Sequence, residues 1–144
     1  MKILVINGPN MQLLGKREPT IYGTQTLADL EKILGDLADS KGIEVELFQS
    51  NHEGEIVDKL GNTDSNAVII NPAAYTHTSV AIRDAIKAIE IPVVEVHISN
   101  ISERESFRHQ SLTSPVCIGQ ICGFGFNGYC MAFNALYDLL KLNK

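Results

Sequence analysis

An α/β sandwich around a five-stranded parallel sheet is the fold class that this sequence predicts, on three observations. Short β-rich runs alternate with helical segments along the chain. The runs at 67–70 and 92–98 are apolar enough for central parallel strands covered on both faces. Polar or turn-forming residues follow most of the runs, as expected at the carboxyl ends of strands in an open sheet.

Residues 2–7 make strand one, in which Ile3, Leu4, Val5 and Ile6 run into the breaker set Asn7, Gly8, Pro9 and Asn10. From Thr26, a plausible N-cap, the positions Leu27, Leu30, Ile33, Leu34 and Leu37 recur at helical spacing, and Gly42 supplies the stop. Ile43, Val45 and Leu47 alternate with Glu44 and Glu46, so strand two has a polar face and belongs at a sheet edge. A short helix follows at 53–60, then strand three at 67–70. A helix at 78–89 carries Ile82, Ala85, Ile86 and Ile89 on one face, and strand four spans 92–98, where Pro92 at the start leaves no ladder donor missing. Strand five at 116–121 leads into a last helix at 127–142. Five strands in this alternation fit the flavodoxin-like three-layer arrangement with order 2-1-3-4-5.

A chain of 144 residues buries roughly 68 to 70% of the surface its unfolded form exposes, so one domain over 1–144 needs no disulfide or metal to hold its core. The formal charge of −5, with four arginines and no basic run, argues against a nucleic-acid partner. The apolar run Ile3 to Ile6 is too short for a signal peptide, no stretch approaches a membrane span, and a cytoplasmic protein with no membrane partner is expected. Cys117, Cys122 and Cys130 are odd in number, form no C-x-x-C pair, and read as buried packing residues in a reducing compartment.

Residues 11–25 resist the scheme, being longer than the usual βα connection. Loops of that length are functional or disordered, and this one holds Arg17, Pro19, Tyr22 and Gly23, a makeup suited to an active-site lid. The strand ends supply further polar groups: Asn7 and Asn10, Ser50, Asn51 and His52, Asn71, then His97, Ser99 and Asn100. Any one of these can be a turn residue; their convergence on one edge favours a site. His77 and Asp84 lie seven apart, which on one helix returns to nearly the same azimuth, although His77 reads equally as an ordinary helix-entry residue. Glu95 and His97, two apart on a central strand, share a face, where a carboxylate can fix the imidazole tautomer.

Two motifs point elsewhere and fail. Gly123 to Gly128 match G-x-G-x-x-G, but only 16 residues follow, too few for the second strand of a dinucleotide-binding unit. A helix-entry or close-packing role fits better. His52-Glu53 opens like H-E-x-x-H, but Ile56 stands where the second histidine is needed, and no other histidines have zinc-ligand spacing. A phosphoacceptor receiver would need acids where Asn7 and Asn71 stand.

NGPN at 7–10, REPTIYG at 17–23, QSNHEGE at 49–55, INPAAYTHTS at 70–79, EVHISNI at 95–101, FRHQS at 107–111 and GQICG at 119–123 occur in this order. In these motifs the sequence closely resembles the type II 3-dehydroquinate dehydratases, the cofactor-free dehydroquinases of the shikimate and quinate pathways. The resemblance implies an anti elimination of water from 3-dehydroquinate through an enolate, giving 3-dehydroshikimate, with no metal or other cofactor. Tyr22 matches the base that takes the C2 proton, Arg17 the residue that promotes its ionisation, and His97 the acid for the C1 hydroxyl. Glu95 is the candidate partner of His97, and Asn10 matches a residue that places a water near the enolate oxygen. Asn71, His77, Asp84 and Arg108 match substrate-binding positions, and Ile98 and Ser99 the backbone that holds the carboxylate. The family forms dodecamers of trimers, in which the acid matching Asp84 is expected to reach a neighbouring subunit's site. Departures at Ser102-Glu103 and at Phe124, Gly125 and Phe126 leave every matched catalytic position unaltered.

A phenol ionises near pH 10, so a phenolate base at neutral pH needs about 4 kcal/mol of stabilisation, and burial acts against it. One guanidinium at about 4 Å, in an effective dielectric of about 20, supplies about that much. Arg17 is therefore necessary to this account, with Arg108 as a second cation. Two rival readings are a non-catalytic flavodoxin-like module that binds a small ligand, and an assembly scaffold. Neither gives the Arg17–Tyr22 and Glu95–His97 pairs anything to do.

Overall fold

The computed structural model describes residues 1–143. Five parallel strands, β1 (Lys2–Asn7), β2 (Glu44–Gln49), β3 (Ala67–Asn71), β4 (Val93–His97) and β5 (Gly119–Cys122), form one sheet in the order β2-β1-β3-β4-β5. Five α-helices accompany them: α1 (Pro19–Tyr22), α2 (Leu27–Lys41), α3 (Glu53–Gly61), α4 (Val80–Ala88) and α5 (Asn127–Leu142).

The two-residue alternation of a strand divides the core into two layers. Ile3 and Val5 of β1 pack with Leu30 and Leu34 of α2 and with Phe133 and Leu136 of α5. Leu4 and Ile6 face the other way, onto Ile56 and Leu60 of α3 and Ile82 and Ile86 of α4. No helix is long and apolar enough to cross a membrane among the described residues.

Helix α2 starts and stops where its sequence dictates. Thr26 and Asp29 form a capping box, each side chain meeting the other's backbone N–H, and Gly42 ends the helix at φ 67°. Strand β2 lies at the edge, with its exposed side knitted by Glu46, which pairs with Lys2 at 3.0 Å and with Lys59.

Most boundaries lie within one residue of the expected ones, and two differ by more. The helix expected at 78–89 begins at Val80, because Ser79 caps it by accepting from the Ile82 N–H at 2.9 Å. His77 closes a separate 3-10 turn, Ala73–His77, so His77 and Asp84 do not share a helix. Strand five was expected from Val116, but Pro115 sits in a 3-10 turn, Ser114–Val116, and pairing with β4 starts at Gly119 opposite Val94. The cysteines are half-buried rather than buried, and burial pushes the Cys117 thiol up to about 12.

The glycine motif before α5 does packing work. Gly123 and Gly125 take φ 92° and 58°, and a Cβ on Gly128 would sit 3.4 Å from Val96 and Ile121 side-chain carbons. Gly8 is held more tightly: its N–H donates to the Asn71 carbonyl at 2.8 Å, and a Cβ there would lie 2.4 Å from the Pro72 carbonyl oxygen. Gly8→Ala is expected to lower stability by about 2 kcal/mol in urea unfolding, because the two loops must separate to admit the methyl group. An unchanged midpoint would contradict that close approach.

Candidate active site

The loops at the carboxyl ends of β1, β3 and β4 line a cavity that opens to solvent. Asn10, Arg17, Tyr22, Asn71, His77, His97, Ile98, Ser99 and Arg108 all line it. Glu95 stands behind His97, out of solvent. Asp84 is apart from this group: its side chain is 67% exposed and its carboxylate lies 3.6 Å from Arg83.

Each lining side chain has a local reason for its position. The 3-10 turn Met11–Leu13 buries Met11, and Leu14 just beyond it is buried too, so the start of the 11–25 segment is pinned to the core. Further on, the segment places Arg17 and, at the end of α1, Tyr22 on the cavity wall. Asn10 adopts φ 68°, with its N–H bound to the Asn51 Oδ1 at 2.9 Å. Tyr22 is half-buried between two arginines: the Arg17 Cζ lies 5.6 Å and the Arg104 Cζ 5.3 Å from its ring centroid. Arg104 Nη1 also donates to the Tyr22 hydroxyl at 2.6 Å. The second cation on the phenol is therefore Arg104 and not Arg108, whose Nε donates to Glu105 Oε2 at 2.9 Å.

The pair on β4 is as its spacing implies. His97 Nε2 meets Glu95 Oε2 at 3.0 Å and the Thr76 hydroxyl at 3.5 Å, while Nδ1 has no protein partner among the described residues. Glu95 also accepts from Ser111 at 2.9 Å, from Gln120 at 2.7 Å and from Thr113. Burial pushes a carboxyl here up, but the hydrogen bond and charge of His97, aided by the Thr113 and Ser111 hydroxyls, outweigh it and hold Glu95 below the ordinary carboxylate range. The site thus presents a fixed anion behind an imidazole. His77 Nδ1 lies 2.7 Å from the Gln110 carbonyl, which can only accept, so that nitrogen carries a proton and Nε2 is left for a ligand.

A carboxyl depressed by folding contributes stability above its unfolded value, near 4.3, and that contribution fades as pH falls through the lower folded value. Glu95→Gln is accordingly expected to cost about 2 kcal/mol at neutral pH, where two acceptor positions are lost, and less below pH 4. Thermal melts of both proteins across that range check this; a pH-independent difference would contradict it.

A phenol beside two guanidiniums and a histidine backed by a carboxylate line one cavity, and these are side chains of the kind that can move protons. The family model described as "Dehydroquinase class II" matches residues 1–137. The chain belongs to this family. A 3-dehydroquinate dehydratase of Bacillus cereus (strain AH187) is 54% identical over 142 residues, 97% of each chain. The type II dehydroquinase of Butyrivibrio crossotus DSM 2876 superposes with a TM-score of 0.93 at 52% identity, over 95% of this chain and 97% of that one. That of Propionibacterium acnes gives 0.91 at 44% identity, over 94% of each.

In this cavity of a dehydroquinase-family chain, sequence reasoning missed Arg104 and, besides His97, the donors around Glu95. Arg104 is one of four arginines and follows a strand at the site edge, which is a signal, though an ambiguous one. Gln120 is the register partner of Glu95 across β4 and β5, a relation visible only once the start of β5 is known.

Proposed function

We propose that this chain is a 3-dehydroquinate dehydratase that eliminates water through an enolate, with Tyr22 as base and His97 as acid. The observation that carries the reading is the Arg104 contact to the Tyr22 hydroxyl inside the cavity that also holds His97. A guanidinium donating to the phenol oxygen stabilises the phenolate more than the phenol, and Arg17 over the ring adds positive charge.

The phenolate takes the C2 proton, and the electron pair of that C–H bond moves onto the C3 carbonyl to give an enolate. A water placed by Asn10 supports the enolate oxygen. Collapse of the enolate forms the C1–C2 double bond and breaks the C1–O bond, with His97 giving its proton to the departing hydroxide to make water. Glu95 holds the imidazole ring in place through this step. The Ile98 and Ser99 backbone takes the substrate carboxylate, and Asn71, His77 and Arg108 hold its polar groups. The 11–25 segment, pinned at Met11 and Leu14 and mostly exposed beyond them apart from Gly15, Arg17 and Tyr22, serves as a lid that excludes water.

Asp84, exposed and turned from its own cavity, suits service in a neighbour's site within a dodecamer of trimers. The half-buried thiols, which burial keeps protonated, suit a reducing cytoplasm.

Replacing Arg104 tests the base directly. Arg104→Gln is expected to lower kcat about tenfold, since a neutral amide supports negative charge on the phenol oxygen less than a guanidinium does. An unchanged kcat would contradict the role of Arg104. Borohydride added with substrate is expected to trap no adduct; a covalent adduct on Lys16 or any other lysine would replace the enolate route with an imine.

A further inference from the structure

One phenol hydroxyl is sealed beneath the cavity floor. Tyr129, in the first turn of α5, is fully buried and stands edge-on to Phe126, with ring centroids 6.2 Å apart. Its hydroxyl donates to Asn7 Oδ1 at 2.6 Å and accepts from Asn71 Nδ2 at 3.0 Å. Asn7 and Asn71 are register partners at the ends of β1 and β3. A single oxygen of the last helix therefore ties the two central strands together where the cavity opens.

The bond directions leave one donor spare. The Ala73 N–H can only donate, so its partner at 3.0 Å is Asn71 Oδ1, and the amide nitrogen lies on the Tyr129 side. Burial pushes the Tyr129 phenol above its ordinary range, so it keeps the proton that it gives to Asn7. The hydroxyl lone pair takes one Asn71 N–H. Among the described residues the other has only the Met11 thioether at 3.7 Å, a weak acceptor, and both Met11 and Asn71 line the cavity.

We infer that Tyr129 is a positioning residue for the dehydratase: its hydroxyl and the Ala73 amide clamp the Asn71 carboxamide so that the second Asn71 N–H is presented to an oxygen of the bound substrate. This deepens the proposed function and rests on Asn71 as a substrate-binding residue. Without the hydroxyl, the amide group loses the partner that fixes its rotation, and its donor is no longer held toward the ligand.

A double-substitution cycle separates this role from a general loss of packing. Tyr129→Phe is expected to raise KM about fivefold, the scale of one neutral hydrogen bond, with kcat near that of the wild type. In an Asn71→Ala background the same change is expected to add nothing, because Tyr129 acts through Asn71. An unchanged KM, or the same loss in both backgrounds, overturns the inference. Should Tyr129→Phe fail to fold, Asn7→Ser releases the phenol proton while leaving the ring in place, and is expected to raise KM in the same Asn71-dependent way.

Nitrogen-15 spectra of the substrate-free protein supply a readout independent of turnover. Of the two Asn71 side-chain amide protons, the one bonded to the Tyr129 hydroxyl is expected to exchange slowly in the wild type and fast in Tyr129→Phe. Fast exchange in the wild type overturns the positioning role. Slow exchange in a protein that leaves 3-dehydroquinate unconverted supports the clamp and overturns the dehydratase reading instead.

Discussion

Tyr22→Phe is expected to lower kcat at least about a hundredfold, the scale of general base catalysis, while leaving KM near that of the wild type. The substitution keeps the ring that lies between Arg17 and Arg104 and removes only the oxygen to which Arg104 donates. Packing of the lid therefore persists, and the lost interaction is one made with the departing proton. An equal fall in kcat and kcat/KM is the signature of a contact made only in the transition state. If turnover of the variant stays near normal, the base is another group, and the two arginines serve the substrate rather than the phenol.

His97→Ala should reduce kcat by between about a hundredfold and ten-thousandfold, since hydroxide is a poor leaving group without a proton donor. The fold is expected to tolerate the change, because Glu95 keeps Ser111, Thr113 and Gln120 as donors when the imidazole is gone. Thermal melts alongside initial rates distinguish a missing acid from a damaged sheet. A folded variant within about tenfold of the wild type would fall below the range of acid catalysis and pass the role of acid to His77 or to water.

The parts of the fold that local chemistry dictates were legible in the sequence. Strand one, the Thr26 cap and the Gly42 stop stand where periodicity and capping place them, because a strand buried on both faces and a capped helix carry their own boundary signals, and the last helix, which has no side-chain cap, stands where it was expected too. The entry to α4 was not legible, since Thr78 and Ser79 are both competent caps and only the Ser79 bond to Ile82 distinguishes them. The start of β5 was hidden because Val116 and Ile118 look strand-like, while Pro115 fixes a turn around the first of them.

The site divides in the same way. Glu95 and His97 are two apart on one strand, so period-two alternation alone put them side by side. The contact of Arg104 with Tyr22 spans 82 residues, and that of Tyr129 with Asn7 spans 122, so no local pattern carries either one. Asp84 was placed beside His77 by a helix register that does not exist, because the chain turns between them at Thr78.

The central claim is conversion of 3-dehydroquinate by these residues, and the most direct measurement is the near-ultraviolet absorbance of the conjugated enone carboxylate product. Purified protein mixed with 3-dehydroquinate, with chelator present and no added nucleotide or metal, is predicted to give a steadily growing signal. A flat trace from folded protein would contradict the account and leave a ligand-binding module in place of the enzyme.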